Sequence, residues 1–125
     1  MQINSPNALA ELTAAFEAYE AALIANEVET LDRLFWASPD VVRYGPKEAL
    51  YGRDEILAFR KARPSTGLDR TLIRTVITTF GADFGTAFAE FRRPGVKKTG
   101  RQSQTWVRLP EGWRIAAAHV SFVEA

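Results

Sequence analysis

Near its carboxyl end the chain reads Gly112-Trp113-Arg114-Ile115-Ala116-Ala117-Ala118-His119-Val120-Ser121. Side chains alternate between the two faces of a strand, so one face of this segment should carry Trp113, Ile115, Ala117, His119 and Ser121. The large apolar residues at the start of that face predict contact with a hydrophobic core. The imidazole and hydroxyl that follow indicate that the core opens into a polar cavity, where we expect the functional site.

Three further strand-like segments precede this one. Residues 70–80 are rich in β-branched side chains, residues 84–92 alternate large and small ones, and residues 101–109 lead into the last strand. Turn-forming residues separate these segments at 81–83 and 110–112. The four segments therefore predict a curled antiparallel meander.

The amino-terminal half of the chain has a helical period instead. Ser5 and Pro6 are typical of a helix start, and an apolar stripe at steps of three and four follows: Leu9, Leu12, Phe16, Tyr19 and Leu23. We expect a second helix from Asn26, where Asn26 and Glu29 fit a capping box, then a short hairpin and a third helix over 54–62. Helices followed by a meander predict an α+β fold, with a curved antiparallel sheet packed against three N-terminal helices in a single domain over 1–125.

Composition limits the chemistry. The 125 residues suffice for one core, and sixteen Lys and Arg against fifteen Asp and Glu leave a net charge of +1. That balance argues against nucleic acid or a membrane surface as partner and favours a small ligand. With no cysteine and one histidine, we expect no disulfide and no metal site. The start of the chain lacks the pattern of a signal peptide, which predicts a cytoplasmic protein.

The basic segment 92–101 is the one place where nucleic-acid binding could be argued. No aromatic residue lies between its charges, so a solvated loop is the favoured interpretation. Such a loop could also guide an anion toward the cavity.

Two side chains of the predicted interior carry chemistry. Tyr19 lies on the buried stripe of the first helix, where its hydroxyl needs a hydrogen-bond partner, and a backbone carbonyl would satisfy it in a purely structural role. Arg43 shares a strand face with Val41, and an inward arginine needs an anion. An ion pair with Glu90 or Asp40 is the structural alternative to a bound ligand.

His119 titrates nearest neutrality and is therefore a candidate base. Its place after Trp113 and Ile115 favours a hydrogen-bonded residue of the cavity wall instead, so we assign it to substrate binding. The same assignment is given to Trp36, Gln104 and Ser121. A register shift of one residue would turn Ser103 inward in place of Gln104.

Seven segments together carry a family resemblance: FEAYEAAL at 16–23, LFW at 34–36, VRYG at 42–45, LYG at 50–52, EFRRPG at 90–95, GRQSQTWVR at 100–108 and GWRIAAAHVS at 112–121. They resemble the AtzH-like decarboxylases of the nuclear transport factor 2-like, SnoaL-like superfamily. The resemblance implies a cone-shaped fold and the conversion of 1,3-dicarboxyurea to allophanate and carbon dioxide in cyanuric acid breakdown, without a cofactor. It also implies an amidase acting on 1-carboxybiuret as a functional neighbour, and Tyr19 and Arg43 as the catalytic pair.

A small dianionic carboxylated urea suits those two residues. Arg43 can hold one carboxylate with its planar fork, and Tyr19 can donate a proton to the departing nitrogen. Two other functions stay open: an isomerase or hydratase that uses His119 as base, and a non-catalytic ligand-binding or dimerisation module.

We also expect at least a homodimer. The face of the final strands opposite the cavity should carry Trp106, Arg108, Val120 and Phe122, which is too apolar a set to remain in water. Relatives of this fold pair sheet to sheet.

Overall fold

The computed structural model describes residues 1–124, which form one curved sheet with three helices on one of its faces. In chain order the elements are α1 (Pro6–Ala25), α2 (Val28–Leu34), β1 (Val42–Tyr44), β2 (Ala49–Tyr51), α3 (Arg53–Ala62), β3 (Thr71–Phe80), β4 (Phe84–Arg92), β5 (Thr99–Leu109) and β6 (Gly112–Val123). None of the helices in this described part is both long and apolar enough to cross a membrane. The predicted α+β class is confirmed.

The sheet is mixed rather than wholly antiparallel. Its strand order is β2-β1-β6-β5-β4-β3, and the four long strands form the predicted meander. The short strand β1 lies beside β6 and runs parallel to it, with Arg43 opposite Ala118. This pairing brings the first half of the chain to the edge of the meander and places Arg43 among the helices.

Helix α1 begins at Pro6 as predicted and ends one residue before Asn26. Asn26 adopts a left-handed conformation with φ of 54° and closes α1 through backbone bonds to Ala22 and Leu23. The predicted capping box that would open the second helix at Asn26 is therefore wrong, since α2 begins at Val28. A residue that ends a helix in this conformation cannot also begin the next one.

A β-bulge divides β6 into two phases. Thr105 on β5 lies opposite Ala117, whereas the next residue, Trp106, lies opposite Ile115, so Ala116 has no partner. An extra residue in one strand exchanges the faces beyond it. The expectation that His119 and Ser121 share a face with Trp113 and Ile115 is wrong for this reason.

The outer face of the sheet also differs from the prediction, for Val120 because of the bulge in β6 and for Trp106 because it shares a face of β5 with Gln104. Trp106 is fully buried and Val120 is 9% exposed, both on the helix side, so neither belongs to the outer surface predicted for them. Phe88, Val76 and Phe84 are exposed on the outer face instead. The homodimer stays a prediction, and these three residues are the apolar surface it would cover.

Gly85 fixes how closely α1 approaches the sheet. A Cβ atom at this position would lie 2.4 Å from Leu12 Cδ2 and 2.8 Å from the Thr78 carbonyl oxygen. Gly85→Ala should therefore lower the free energy of unfolding by about 1–3 kcal/mol through overpacking. Urea denaturation measures this, with Ser103→Ala on the outer face as a control expected to change it by less than about 0.5 kcal/mol. An unchanged midpoint for Gly85→Ala would contradict the close packing.

Candidate active site

A buried tyrosine and a buried arginine meet at the centre of the helix side of the sheet. Tyr19 on α1 is 2% exposed and Arg60 on α3 is 1% exposed. Arg60 Nη2 donates a hydrogen bond of 2.7 Å to Tyr19 Oη. The Phe35 ring lies edge-on to Tyr19 at 6.2 Å, and the Arg60 guanidinium is 5.9 Å from the centre of each of these two rings.

The direction of this bond leaves the tyrosine proton unassigned. A guanidinium has only donors, so Tyr19 Oη is the acceptor. Among residues 1–124, no acceptor lies within hydrogen-bond distance of the Tyr19 hydroxyl, and Arg60 Nε and Nη1 are buried without a partner. Tyr19 can therefore donate to a ligand, and the structural alternative of a backbone carbonyl partner is not what the structure contains.

Nearby positive charge favours ionisation of Tyr19. Burial raises the pKa of the Tyr19 phenol, but Arg60, then Arg43 and Arg70, outweigh it and bring the pKa below its ordinary value. Burial in turn lowers the pKa of Arg60, although the contact with Tyr19 opposes this. The pair thus shares a site where negative charge on the phenol is favoured.

Arg60 was not among the residues singled out from the sequence. The signal was the helical spacing of Ile56, Phe59 and Arg60, which places an arginine on the inward face of α3. An arginine on the apolar face of a helix usually extends its charged end to the solvent. The spacing alone therefore does not indicate that Arg60 is buried.

Arg43 is held inside the cone by a carboxylate from the β1–β2 turn. The side chain is buried as predicted, and its Nη1 donates to Glu48 Oε1 at 3.0 Å, not to Glu90 or Asp40. Glu48 folds over Gly45 so tightly that a Cβ there would lie 1.8 Å from Glu48 Oε1. This contact uses one nitrogen of Arg43, so the rest of the fork is free to bind a second carboxylate.

The third buried arginine, Arg70, is already neutralised by Glu20. Arg70 donates from Nε to Glu20 Oε2 at 3.1 Å and from Nη2 to both Glu20 Oε1 and Gln102 Oε1. Its guanidinium also lies 4.2 Å from the centre of the Phe91 ring. Because Glu20, Gln102 and the Phe91 ring already contact its guanidinium, Arg70 has a structural role and is not a candidate for ligand binding.

The cone opens through a basic cavity of about 580 Å³. Five of its lining side chains are basic and one is acidic: Arg43, Lys47, Arg63, Arg93 and Lys98, with Glu48. Burial and the neighbouring Arg60 and Arg43 lower the pKa of Arg63 to about 10. Arg63 Nε and Nη2 are buried without a partner among the described residues. A small anion would supply the charge this mouth lacks.

The other predicted wall residues are only partly brought together. Gln104 is buried on the helix side, where its Oε1 accepts from Trp106 Nε1 at 3.0 Å, and the alternative with Ser103 inward is excluded. Phe35, not Trp36, contacts Tyr19; the partly buried Trp36 packs against the core elsewhere.

His119 and Ser121 lie on the outer side of the sheet because of the bulge at Ala116. His119 is exposed, with its ring edge-on to Tyr44 at 5.7 Å. The expectation that His119 lies on the same side of the sheet as Tyr19 is therefore wrong. Ser121 reaches the rim of the basic mouth and remains near the site.

The outer face has a groove of its own, of about 450 Å³, lined among others by Phe88, Val76 and His119. Its charged residues are partly exposed, and the Arg101 and Glu90 side chains there approach only to 3.9 Å. The buried donors without partners lie on the helix side instead, so we place the candidate site there. Within residues 1–124, no group of three or more His, Asp or Glu side chains is arranged to hold a metal ion.

The curved sheet with three helices on one face is a nuclear transport factor 2-like fold of the α+β class. A nuclear transport factor 2-like protein of unknown function from Pseudomonas putida matches 94% of this chain and 87% of its own with a TM-score of 0.80 at 18% identity, which shows the fold alone. The chain belongs to the AtzH-like family, whose model matches residues 1–125.

Two solved structures are much more similar in sequence. A protein of unknown function from the DUF3225 family of Pectobacterium atrosepticum is 58% identical, with a TM-score of 0.96 over 98% of this chain and 95% of that one. A cystatin-like fold protein from Burkholderia xenovorans is 45% identical, with a TM-score of 0.96 over 100% and 98%. No curated protein matches the chain.

The Glu20 and Arg70 pair should dominate the stability of the site wall. Glu20→Gln leaves the Arg70 guanidinium buried without a counter-ion, which should lower the free energy of unfolding by about 3–5 kcal/mol. Glu124→Gln is the matched control, because its exposed pair with Lys98 should contribute at most about 1 kcal/mol. Equal urea midpoints for the two variants would contradict this ranking.

Proposed function

We propose that this protein is a cofactor-independent decarboxylase that converts 1,3-dicarboxyurea to allophanate and carbon dioxide in cyanuric acid catabolism. The observation that carries the proposal is the Tyr19 hydroxyl, which accepts from Arg60 and has a proton free for a ligand. Membership of the AtzH-like family supports the same reaction.

The charge of the interior supports an anionic substrate. Of the charged residues that are buried, three are arginines, Arg43, Arg60 and Arg70, and one is an acid, Glu20. Glu20 pairs with Arg70 and the partly exposed Glu48 pairs with Arg43, so Arg60 is the buried arginine without an acidic partner. Buried charges are normally paired, so this arginine and the basic mouth favour an anionic ligand, as a dicarboxylated urea is. The basic mouth beside Arg43 would attract such a ligand and exclude cations.

Each residue has a defined part in the reaction. Arg43 binds one carboxylate with the donors that Glu48 leaves free and holds the substrate in place. The bond between the other carboxylate carbon and its nitrogen breaks, and its electron pair stays on the nitrogen. That nitrogen takes the proton of Tyr19, carbon dioxide leaves, and water reprotonates the phenolate.

The open alternatives make different demands. An isomerase or hydratase with His119 as base would need the imidazole in the cavity, whereas His119 is exposed on the other side of the sheet. A non-catalytic binding module would take the dianion but release no carbon dioxide.

The direct test is carbon dioxide release from freshly generated 1,3-dicarboxyurea, with the spontaneous rate as reference. Tyr19→Phe should lower kcat by about 10²-fold or more because the proton donor is lost. His119→Asn is the control and should keep nearly wild-type activity. A wild-type protein that does not exceed the spontaneous rate would exclude the decarboxylase, and full activity in Tyr19→Phe would exclude Tyr19 as the donor.

Arg43→Lys keeps the charge but loses the planar fork, so kcat/KM should fall strongly while the circular dichroism spectrum is retained. Arg108→Lys is the matched control, since Arg108 is exposed and pairs with Asp83 far from the cavity. Wild-type kcat/KM in Arg43→Lys would mean that a positive charge alone suffices at this position.

A further inference from the structure

We infer that Arg60 is the positioning residue that makes Tyr19 a proton donor. Its guanidinium holds the phenolic oxygen as acceptor, turns the O–H toward the substrate nitrogen and stabilises the phenolate left after transfer. The part of this inference that concerns the nitrogen rests on the proposed decarboxylation; the coupling between the two side chains does not.

The first argument is the location of Arg60. A buried charge is costly unless it is paired, and Arg70 and Arg43 each have a glutamate within hydrogen-bond distance. Arg60 is as buried as these but forms no ion pair with any described residue, and its one hydrogen bond goes to Tyr19. A role in packing would be served better by an apolar side chain of similar size.

The second argument is the geometry at the phenol. A phenolic O–H and the lone pair that accepts a hydrogen bond both lie near the plane of the ring, on opposite sides of the C–O axis. Arg60 Nη2 at 2.7 Å takes one of these directions, so the proton takes the other. The rings of Tyr19 and Phe35 both lie against the guanidinium and hold it in this position.

The third argument is the charge balance of the transfer. When the proton moves from Tyr19 Oη to the nitrogen, the phenolate and Arg60 become a buried ion pair. The charged groups that act on Tyr19 are Arg60 from α3, Arg43 from β1, Arg70 before β3 and Glu20 from α1. Glu20 and Glu48 partly neutralise Arg70 and Arg43, which leaves Arg60 as the direct counter-ion.

Tyrosinate absorbance tests this coupling without any substrate. The chain has three tyrosines, and subtracting the titration of Tyr19→Phe isolates Tyr19. Tyr51 should ionise at higher pH than Tyr19, because its hydrogen bond with Tyr44 raises the pKa of Tyr51. In Arg60→Met the Tyr19 midpoint should rise by about one pH unit or more, whereas Arg63→Met, directly after the end of α3, should shift it less. An unchanged Tyr19 midpoint in Arg60→Met would overturn the inference.

Kinetics test the positioning role. Arg60→Met should lower kcat by about tenfold or more with little change in KM, and Arg60→Lys should restore part of the loss. The double variant with Tyr19→Phe should be no slower than Tyr19→Phe alone, because Arg60 acts through that residue. Additive losses in the double variant, or a raised KM with unchanged kcat, would overturn the inference.

The two proposals fail in different ways. If wild-type protein releases no carbon dioxide but Arg60→Met shifts the Tyr19 midpoint, the decarboxylase is wrong and the Arg60–Tyr19 coupling is supported. If wild-type protein is active and the midpoint does not move, the decarboxylase stands and the role of Arg60 is wrong. Should Arg60→Met fold poorly, Arg60→Lys takes its place in both the titration of Tyr19 and the kinetic measurement.

Discussion

The hydrogen bond between Arg60 and Tyr19 determines the charge preference of the interior of this protein. A guanidinium closed off from water and bonded to a single phenol favours negative charge at that point more strongly than any packing interaction around it. Arg43 and Arg70 add to the effect, and Glu20 opposes it. The interior beside Tyr19 therefore favours negative charge, and a neutral ligand would leave the Arg60 guanidinium without a counter-ion.

The rest of the fold holds these charges apart and in place. Helix α3 contributes Arg60, Arg63 follows directly after its last residue, and β1 contributes Arg43. The Glu20–Arg70 pair and the Phe91 ring form a rigid wall between α1 and the meander. Long loops are not needed for this arrangement, since nearly every charged group of the site sits on or beside a regular element, which limits the motion that could blur its geometry.

The sequence was sufficient for the fold and for two residues of the site. The periods of α1 and of the long strands predicted the α+β class, and they placed Tyr19 and Arg43 inside, because burial of an apolar stripe or face is a local property. The parallel β1–β6 pair and the Glu48 partner of Arg43 depend on tertiary contacts that spacing does not encode. The prediction that His119 and Ser121 line the cavity was wrong for a local reason, because the unpaired residue Ala116 reverses the faces of the residues after it. Arg60 lay on a predicted helix, yet its burial becomes intelligible only beside Tyr19.

The bulge at Ala116 has a consequence for how this family can change. Because β6 has two phases, the segments before and after Ala116 are under separate constraints. Trp113 and Ile115 pack in the hydrophobic core, while Ala118 and Val120 border the polar interior. Deleting Ala116 would let both segments pair without a bulge and keep every other side chain on its present face, because Ile115 would still lie opposite Trp106 and Ala117 opposite Thr105. A strand of the same length without the bulge would instead turn His119 and Ser121 inward in place of Ala118 and Val120, so a change of strand phase alone could bring a base into the interior.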